Sequence, residues 1–271
     1  MFERFFWDNN GTLEDKTIEW TNPNSKTAPY DGQGYIYISS YLPFNHRYFD
    51  IDIVNDQGGT LKIDHWWSSE WKTVVDNLDY SELMTKSGNI LFTIDKDNGW
   101  DAECESSDIP ELANTNVYDA YWMRVSLQTP APSALTINYI GYKFAEESDL
   151  FFKYPMLNNA RLKSAFASGK TDWNDQLFDA SQYIVKDLKS RKIVISKNQV
   201  LTLDRYRDAC VHKAAEIIFN GLDEKWVNYI DMARDSYSKD MNLEDYGVDQ
   251  TGNGQMDRIE KASISNGRMS R

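Results

Sequence analysis

The 271-residue chain has two cysteines, three histidines, no long apolar run and a deficit of positive charge. Each shortage excludes something. Cys104 and Cys210 stand far apart, too few for a disulfide framework and without metal-ligand spacing, so a reducing compartment is the expected setting. His46, His65 and His212 are equally scattered. No nucleophile elbow, phosphate-binding loop or metalloprotease motif accompanies them, so no enzyme is expected. No stretch of about 18 apolar residues is available to span a bilayer. The first ten residues, MFERFFWDNN, lack the apolar segment of a secretory signal, which predicts synthesis in the cytoplasm. Lys and Arg number 29 against 42 Asp and Glu, a net charge of −13. Such a surface repels a phosphate backbone. It excludes sequence-specific groove binding but lets DNA slide past without sticking.

Aromatic residues are plentiful at 14%. Seven of the nine tryptophans (Trp7, Trp20, Trp66, Trp67, Trp71, Trp100 and Trp122) precede the stretch Phe144 to Pro155, FAEESDLFFKYP. Before this stretch the pattern is that of strands. RYFDIDIV sets Phe49, Ile51 and Ile53 against Asp50 and Asp52, GNILFTID sets Ile90, Phe92 and Ile94 on one face, and Tyr121, Met123 and Val125 alternate with Trp122, Arg124 and Ser126. Further strands are expected over Tyr35 to Tyr41, Thr60 to Trp66, Trp71 to Val75 and Leu135 to Phe144, with residues 101–118 as a polar loop. Short strands with turn signals at this spacing predict an antiparallel β-sandwich or jelly roll.

After it the period becomes helical. Trp173, Leu177, Ala180, Ile184 and Leu188 form a stripe behind Asp172 as N-cap. Asp204 to Asn220 is the most apolar helix, with Gly221 placed to end it, and Trp226, Ile230, Ala233 and Tyr237 stripe a third over Asp223 to Lys239. Within the junction itself, Glu146, Glu147 and Asp149 form an acidic run, and Ser148 reads as the N-cap of a short helix stopped by Pro155. The expectation is α+β in two segregated domains: a β-sandwich over 1–145, and a helical domain over 148–271 with a flexible C-terminal tail.

One stretch has the spacing of a metal loop. DQTGNGQMDRIE, residues 249–260, places Asp249, Thr251, Asn253, Gln255, Asp257 and Glu260 at positions 1, 3, 5, 7, 9 and 12 of a calcium loop, with Gly254 at the bend. A hard cation needs six or seven oxygens, which alternate residues of a tight loop supply while a closing glutamate completes the cage. Ca²⁺ is the expected ion. Separately, Trp66, Trp67 and Trp71 supply rings for a sugar platform, which makes a carbohydrate-binding tail or baseplate component the rival reading.

Two sets of residues carry a resemblance. Trp71-Lys72-Thr73-Val74, Asp79, Ser87-Gly88-Asn89-Ile90, Trp100 and Tyr121-Trp122-Met123-Arg124 resemble a jelly-roll domain that recurs in tailed-phage particle proteins. The helix from Asp172, Val200-Leu201 leading into Tyr206 to Asn220, and the Trp226 helix resemble the helical head–tail connector adaptors that sit under a portal ring. The resemblance implies a structural virion protein of the phage neck, in a ring of about twelve copies. That ring would lie between the portal protein and a tail or second neck protein, with the genome passing through. It also implies a C-terminal tail that docks on the portal. Here the tail is SISNGRMSR, with Ile264, Arg268, Met269 and Arg271 as its expected contact residues.

Overall fold

The computed structural model describes residues 3–9, 11–21, 28–30, 34–53, 59–94, 100–103, 109–127, 135–242 and 246–254. Among them lie two antiparallel sheets and six α-helices. Contacts group the chain into two compact units, Met1–Tyr142 with Gly252–Gly254, and Lys143–Thr251 with Gln255–Arg271.

The first unit holds the strands: β1 (Arg4–Asn9), β2 (Thr12–Asp15), β3 (Ala28–Tyr30), β4 (Ile36–Ser40), β5 (His46–Ile53), β6 (Leu61–Trp67), β7 (Glu70–Thr73), β8 (Asp76–Asp79), β9 (Gly88–Thr93), β10 (Ala102–Glu103), β11 (Ala120–Leu127) and β12 (Leu135–Gly141). A short helix, α1 (Thr17–Thr21), buries Trp20. One sheet runs β2-β1-β4-β11-β6-β7 with β10 beside β11, and the other runs β3-β12-β5-β9-β8. Strand alternation sends Phe5, Ile36, Ile38, Ile63, Met123 and Val125 of the first sheet into one buried cluster with Phe49, Ile51, Ile90, Phe92, Ile137 and Ile140 of the second. The expected inward faces of β5, β9 and β11 are found there; the side chain of Ile53 lies outside the described set. The opposite face of the first sheet is also buried, because Ile109, Leu112 and Val117 cover Phe6, Tyr37, Trp66 and Trp122. The expectation of a plain polar loop over 101–118 is therefore corrected. That segment contains β10, a 3-10 turn at Pro110–Leu112 and three buried apolar side chains, whose irregular spacing carries no periodic signal.

The strand expected over Trp71 to Val75 is corrected as well. The chain changes sheet inside it: the Val74 amide donates to Ile63 O in the first sheet (3.1 Å) and the Val75 amide to Thr93 O in the second (3.0 Å). After β8 comes a turn in which Glu82, Leu83 and Met84 all have left-handed backbone, φ 50°, 64° and 61°. Left-handed backbone costs an L-residue about 1–2 kcal/mol. Asp79 holds the turn. Its carboxylate accepts from the Ser81 amide (2.8 Å), the Ser81 hydroxyl (2.5 Å) and the Leu83 amide (2.7 Å). The reward is Met84, fully buried in the core shared by the two sheets.

The second unit contains α2 (Glu147–Lys153), α3 (Ala160–Phe166), α4 (Asn174–Ser190), α5 (Asp204–Asn220) and α6 (Val227–Asp240). Ser148 is not the N-cap of α2. Glu146 is, in a reciprocal box with Asp149, whose carboxylate accepts from the Glu146 amide at 2.9 Å. The acidic run fastens this end of the unit. Lys143, 1% exposed, reaches Glu146 Oε2 (2.6 Å) and Asn174 Oδ1 (3.0 Å). Glu147 accepts from the Trp173 amide (2.8 Å) and from Lys163 Nζ (3.4 Å). The expected stripe of α4 is buried at all five positions. Trp173 is the N-cap residue, while Asp172 still accepts from the Asn174 amide at 2.9 Å. Gly221 ends α5 with an ordinary right-handed φ of −84°, so it is not the left-handed terminator expected. Its small size is what matters, because an added Cβ would lie 2.2 Å from the Phe166 ring. The third helix begins at Val227 rather than Asp223, after a 3-10 turn over Glu224–Trp226; on α6 only Ala233 is buried, and Trp226 in the turn and Ile230 and Tyr237 on the helix are half-buried.

Replacing Asp79 with alanine removes three hydrogen bonds to a carboxylate and leaves the left-handed turn uncompensated. The expected loss is about 2–3 kcal/mol of first-unit stability. Urea unfolding followed by tryptophan fluorescence measures it, and an unchanged midpoint rules the account out.

Candidate functional site

Part of the first half of the resemblance meets on the outer face of the first sheet, where Trp71, Trp122 and Arg124 lie; Asp79 and Gly88 to Ile90 belong to β8 and β9 of the second sheet, and Val74 and Met123 point into the core between the sheets. Antiparallel register lines up one row across five strands: Phe6 with Tyr37, Tyr37 with Arg124, Arg124 with Asp64, and Asp64 with Thr73. Arg124 Nε lies 2.9 Å from Asp64 Oδ2, and that carboxylate also takes Lys62 Nζ (3.2 Å) and the Thr73 hydroxyl (2.8 Å). The guanidinium carbon sits 4.1 Å from the Tyr35 ring centre and 4.6 Å from that of Trp71, and Glu111 Oε1 is 3.6 Å from Nη1. Asp64 is 1% exposed and Arg124 12%. A buried ion pair of this kind survives only when hydrogen bonds and a polarisable surround replace water. Here two aromatic rings and a second acid do so.

This arrangement also decides the tryptophan trio. Trp66 and Trp71 meet edge to face at 5.1 Å, and Trp71 is packed against Tyr37 at 5.8 Å. Trp67 follows Trp66 in the strand and so projects to the other side, where Lys72 Nζ lies 5.5 Å from its ring. The three rings do not form one platform. His65 is buried with Trp100 edge-on at 5.7 Å, and His46 is buried with Nδ1 2.9 Å from Asn45 Oδ1, both in the first unit.

In the second unit a tyrosine, a histidine and an aspartate form a string that no sequence spacing announces. Tyr154 Oη is 2.7 Å from His212 Nδ1, and His212 Nε2 is 3.5 Å from Asp240 Oδ2. With the hydroxyl donating, the Nε2 proton faces the carboxylate. Burial pushes the His212 imidazole below its ordinary 6.5 and Lys153 adds to the push, while Asp240 and Asp208 oppose it. Burial raises Asp240 against the pull of His212, and raises the Tyr154 hydroxyl to about 12. Tyr154 is 2% exposed, so the string braces α2, α5 and α6 rather than presenting a reactive group. Cys210 is just as inaccessible. Burial lifts its thiol to about 12, with Ser181 Oγ at 3.4 Å. Cys104 lies outside the described residues.

A cleft of about 620 Å³ opens between α4 and α5, lined by Asp179, Gln182, Tyr183, Lys186, Lys213, Glu216, Ile217 and Asn220. Lys213 Nζ stands 4.3 Å from the Tyr183 ring and 2.8 Å from Glu216 Oε2, and Arg234 Nε reaches Glu216 Oε1 at 3.0 Å. Burial alone would raise the Glu216 carboxyl, but hydrogen bonds from these two cations hold it below its usual range. The i,i+3 spacing of Lys213 and Glu216 is the one part of this site visible in the sequence.

Of the expected metal ligands, Asp249, Thr251 and Asn253 are described. Asp249 is 1% exposed. Its amide donates to Gln199 O and its carbonyl accepts from Gln199 Nε2, both at 2.7 Å. The Thr251 hydroxyl lies 3.3 Å from Asp249 Oδ1, and Asn253 is exposed. Gly252 and Gly254 have left-handed φ of 78° and 80°, as a loop turning this tightly requires. Gln255, Asp257 and Glu260, and the expected contact residues Ile264, Arg268, Met269 and Arg271, lie outside the described residues. Among the described residues no group of three His, Cys, Asp or Glu side chains is close enough to hold a metal ion.

No protein-family model matches the chain, and no curated protein matches its sequence. No helix among the described residues is long and apolar enough to cross a membrane.

The depressed imidazole predicts a pH dependence with a definite sign. The folded state keeps His212 neutral below the pH at which the unfolded chain protonates it. The stability it contributes is whole above 6.5 and falls as pH drops from there through the lowered folded value. Thermal melts of wild type and His212→Gln between about pH 7 and 5 should converge as pH falls; parallel curves would refute the assignment.

Proposed function

We propose that the chain is a structural, non-enzymatic protein of a tailed-phage virion. In this reading it is a head–tail connector that forms a ring beneath the portal protein, joins the head to a tail or second neck protein, and lines the path of the genome. The first unit is then a jelly-roll-like β-sandwich and the second a helical adaptor bundle. The observation that carries the reading is the meeting of Trp71 with Arg124 at 4.6 Å. These residues are far apart in the sequence, and both belong to the motif on which the resemblance rests. In the structure the motif has a physical purpose, since Trp71 covers the guanidinium, Asp79 closes the left-handed turn, and Ser87 Oγ donates to Asp50 Oδ1 (3.0 Å) and accepts from the Ile51 amide (2.8 Å). A net charge of −13 suits a protein that DNA must pass without being held.

The C-terminal residues Ile264, Arg268, Met269 and Arg271 are proposed to grip the portal, ordering on contact so that the new contacts offset the entropy lost. Truncation after Lys261 should abolish attachment to purified portal rings while leaving the circular dichroism and melting of the protein unchanged. Attachment at undiminished affinity would move the contact onto the helices.

The 249–260 loop is proposed to bind Ca²⁺ and so fix where the tail leaves the body. The described residues fit such a loop in part, through the buried Asp249 carboxylate, the adjacent Thr251 hydroxyl and the two left-handed glycines. Glu260 would supply the closing bidentate ligand. Calorimetric titration with CaCl₂ should show one site in the wild type and a loss of affinity of more than tenfold in Glu260→Gln. No heat in the wild type at millimolar calcium eliminates the metal.

A further inference from the structure

Two surfaces of the second unit match each other without being able to meet in one molecule. The first is the α4–α5 cleft. Its floor carries Ile217, and its wall carries Tyr183, half exposed at 50%, flanked along α4 by Asp179 four residues before and Lys186 three residues after. Among the described residues, neither Asp179 nor Lys186 has an ion-pair partner. The second surface is the outward face of α6. It exposes Val227 (50%) and Met232 (48%), together with Asp235, Lys239 and Asp231, the last with Oδ1 3.4 Å from Arg234 Nη1. Lys239 and Asp235 likewise have no ion-pair partner among the described residues. The other face of α6 is already used within the unit: Ala233 is buried, Arg234 pairs with Glu216, and Asp240 faces His212.

We propose that the outward face of α6 in one copy of this chain seats in the α4–α5 cleft of the next copy. The inference rests on the ring reading above and assigns the contact that would build the ring. Charge and register select the geometry. Facing residues of two antiparallel helices keep a constant sum of residue numbers. Placing Lys239 opposite Asp179 therefore places position 232 opposite Lys186. Asp231 and Asp235 then bracket that lysine, since both spans cover seven residues, about 10 Å of helix. Met232 falls within a turn of Tyr183, a thioether against an exposed ring. A parallel arrangement with Asp235 at Lys186 sets Asn228 opposite Asp179 and leaves that carboxylate unmatched. The two surfaces are different patches of one protomer, so the contact is heterologous and repeats from copy to copy, as a ring requires. The cleft volume lies in the range that accommodates a few protruding side chains.

The test is site-directed disulfide trapping in the full chain, in a Cys104→Ser background. Cys210 is buried and stays out of the chemistry. Copies carrying Asp179→Cys are mixed under mild oxidation with copies carrying Lys239→Cys, at near-millimolar protein, where weak contacts become populated. Copies carrying Cys at the exposed Asn158 serve as the control partner. The proposal expects the 179–239 heterodimer to exceed the 179–158 product several-fold. Adding Lys186→Glu to the first partner should cut that excess, because Asp231 and Asp235 still face position 186. Placing Asp231→Lys and Asp235→Lys in the second partner should then restore it. Circular dichroism confirms that each variant is folded before trapping. A 179–239 yield equal to the control, or one indifferent to Lys186→Glu, overturns the contact. Either result leaves portal attachment untouched, because that is scored separately by the tail truncation.

Discussion

A guanidinium taken out of water must find a carboxylate and must be walled in, and much of the first sheet is arranged around that requirement at Arg124. Asp64 supplies the carboxylate from the neighbouring strand, Tyr35 and Trp71 supply the walls, and Glu111 arrives from the segment that covers the face. Removing Asp64 leaves a guanidinium in a medium that cannot fully solvate it, a larger penalty than the pair itself contributes. The middle of this sheet is dry on both faces, one against the second sheet and one beneath Ile109, Leu112 and Val117. That is why β4 is buried at every position although its sequence alternates.

The strand faces were legible because period-two alternation survives whichever layer covers them. Phe49, Ile51, Ile90, Phe92, Met123 and Val125 all lie on the side their spacing indicates. The same holds for the α4 stripe and for the bounds of α5. What could not be read was the work of single polar residues. The sheet change at Val74 and Val75 hides inside the β-prone stretch from Trp71 to Val75, where one strand and two half-strands look alike. The cap at Glu146 rather than Ser148 depends on a reciprocal bond from Asp149 that only the folded turn reveals. The Arg124–Asp64 pair joins residues whose neighbourhood is fixed by strand order, and strand order leaves no trace in local pattern. Likewise, nothing near Tyr154 announces His212 or Asp240.

The acidic excess of the chain is also spent unevenly. Several carboxylates in the second unit are fasteners rather than surface decoration: Glu146 and Glu147 bind Lys143, Lys163 and the Trp173 amide, and Glu216 binds Lys213 and Arg234. Composition reports only their sum. A charge run at a junction is commonly a solvated spacer, but this run is tied into helices on three sides, so its acidity says little about mobility.

The sheet change at Val74 and Val75 has a mechanical consequence. Adjacent amides of one backbone are bonded to different layers, Val74 to Ile63 and Val75 to Thr93. The terminal strands on this flank, β7 of one layer and β8 of the other, are thus successive turns of a single stitch. Neither hem can be unpicked far without drawing the thread out of its counterpart. A tug delivered to either layer along this flank is shared between two seams loaded in parallel, so the first unit should yield there as one piece rather than peel strand by strand.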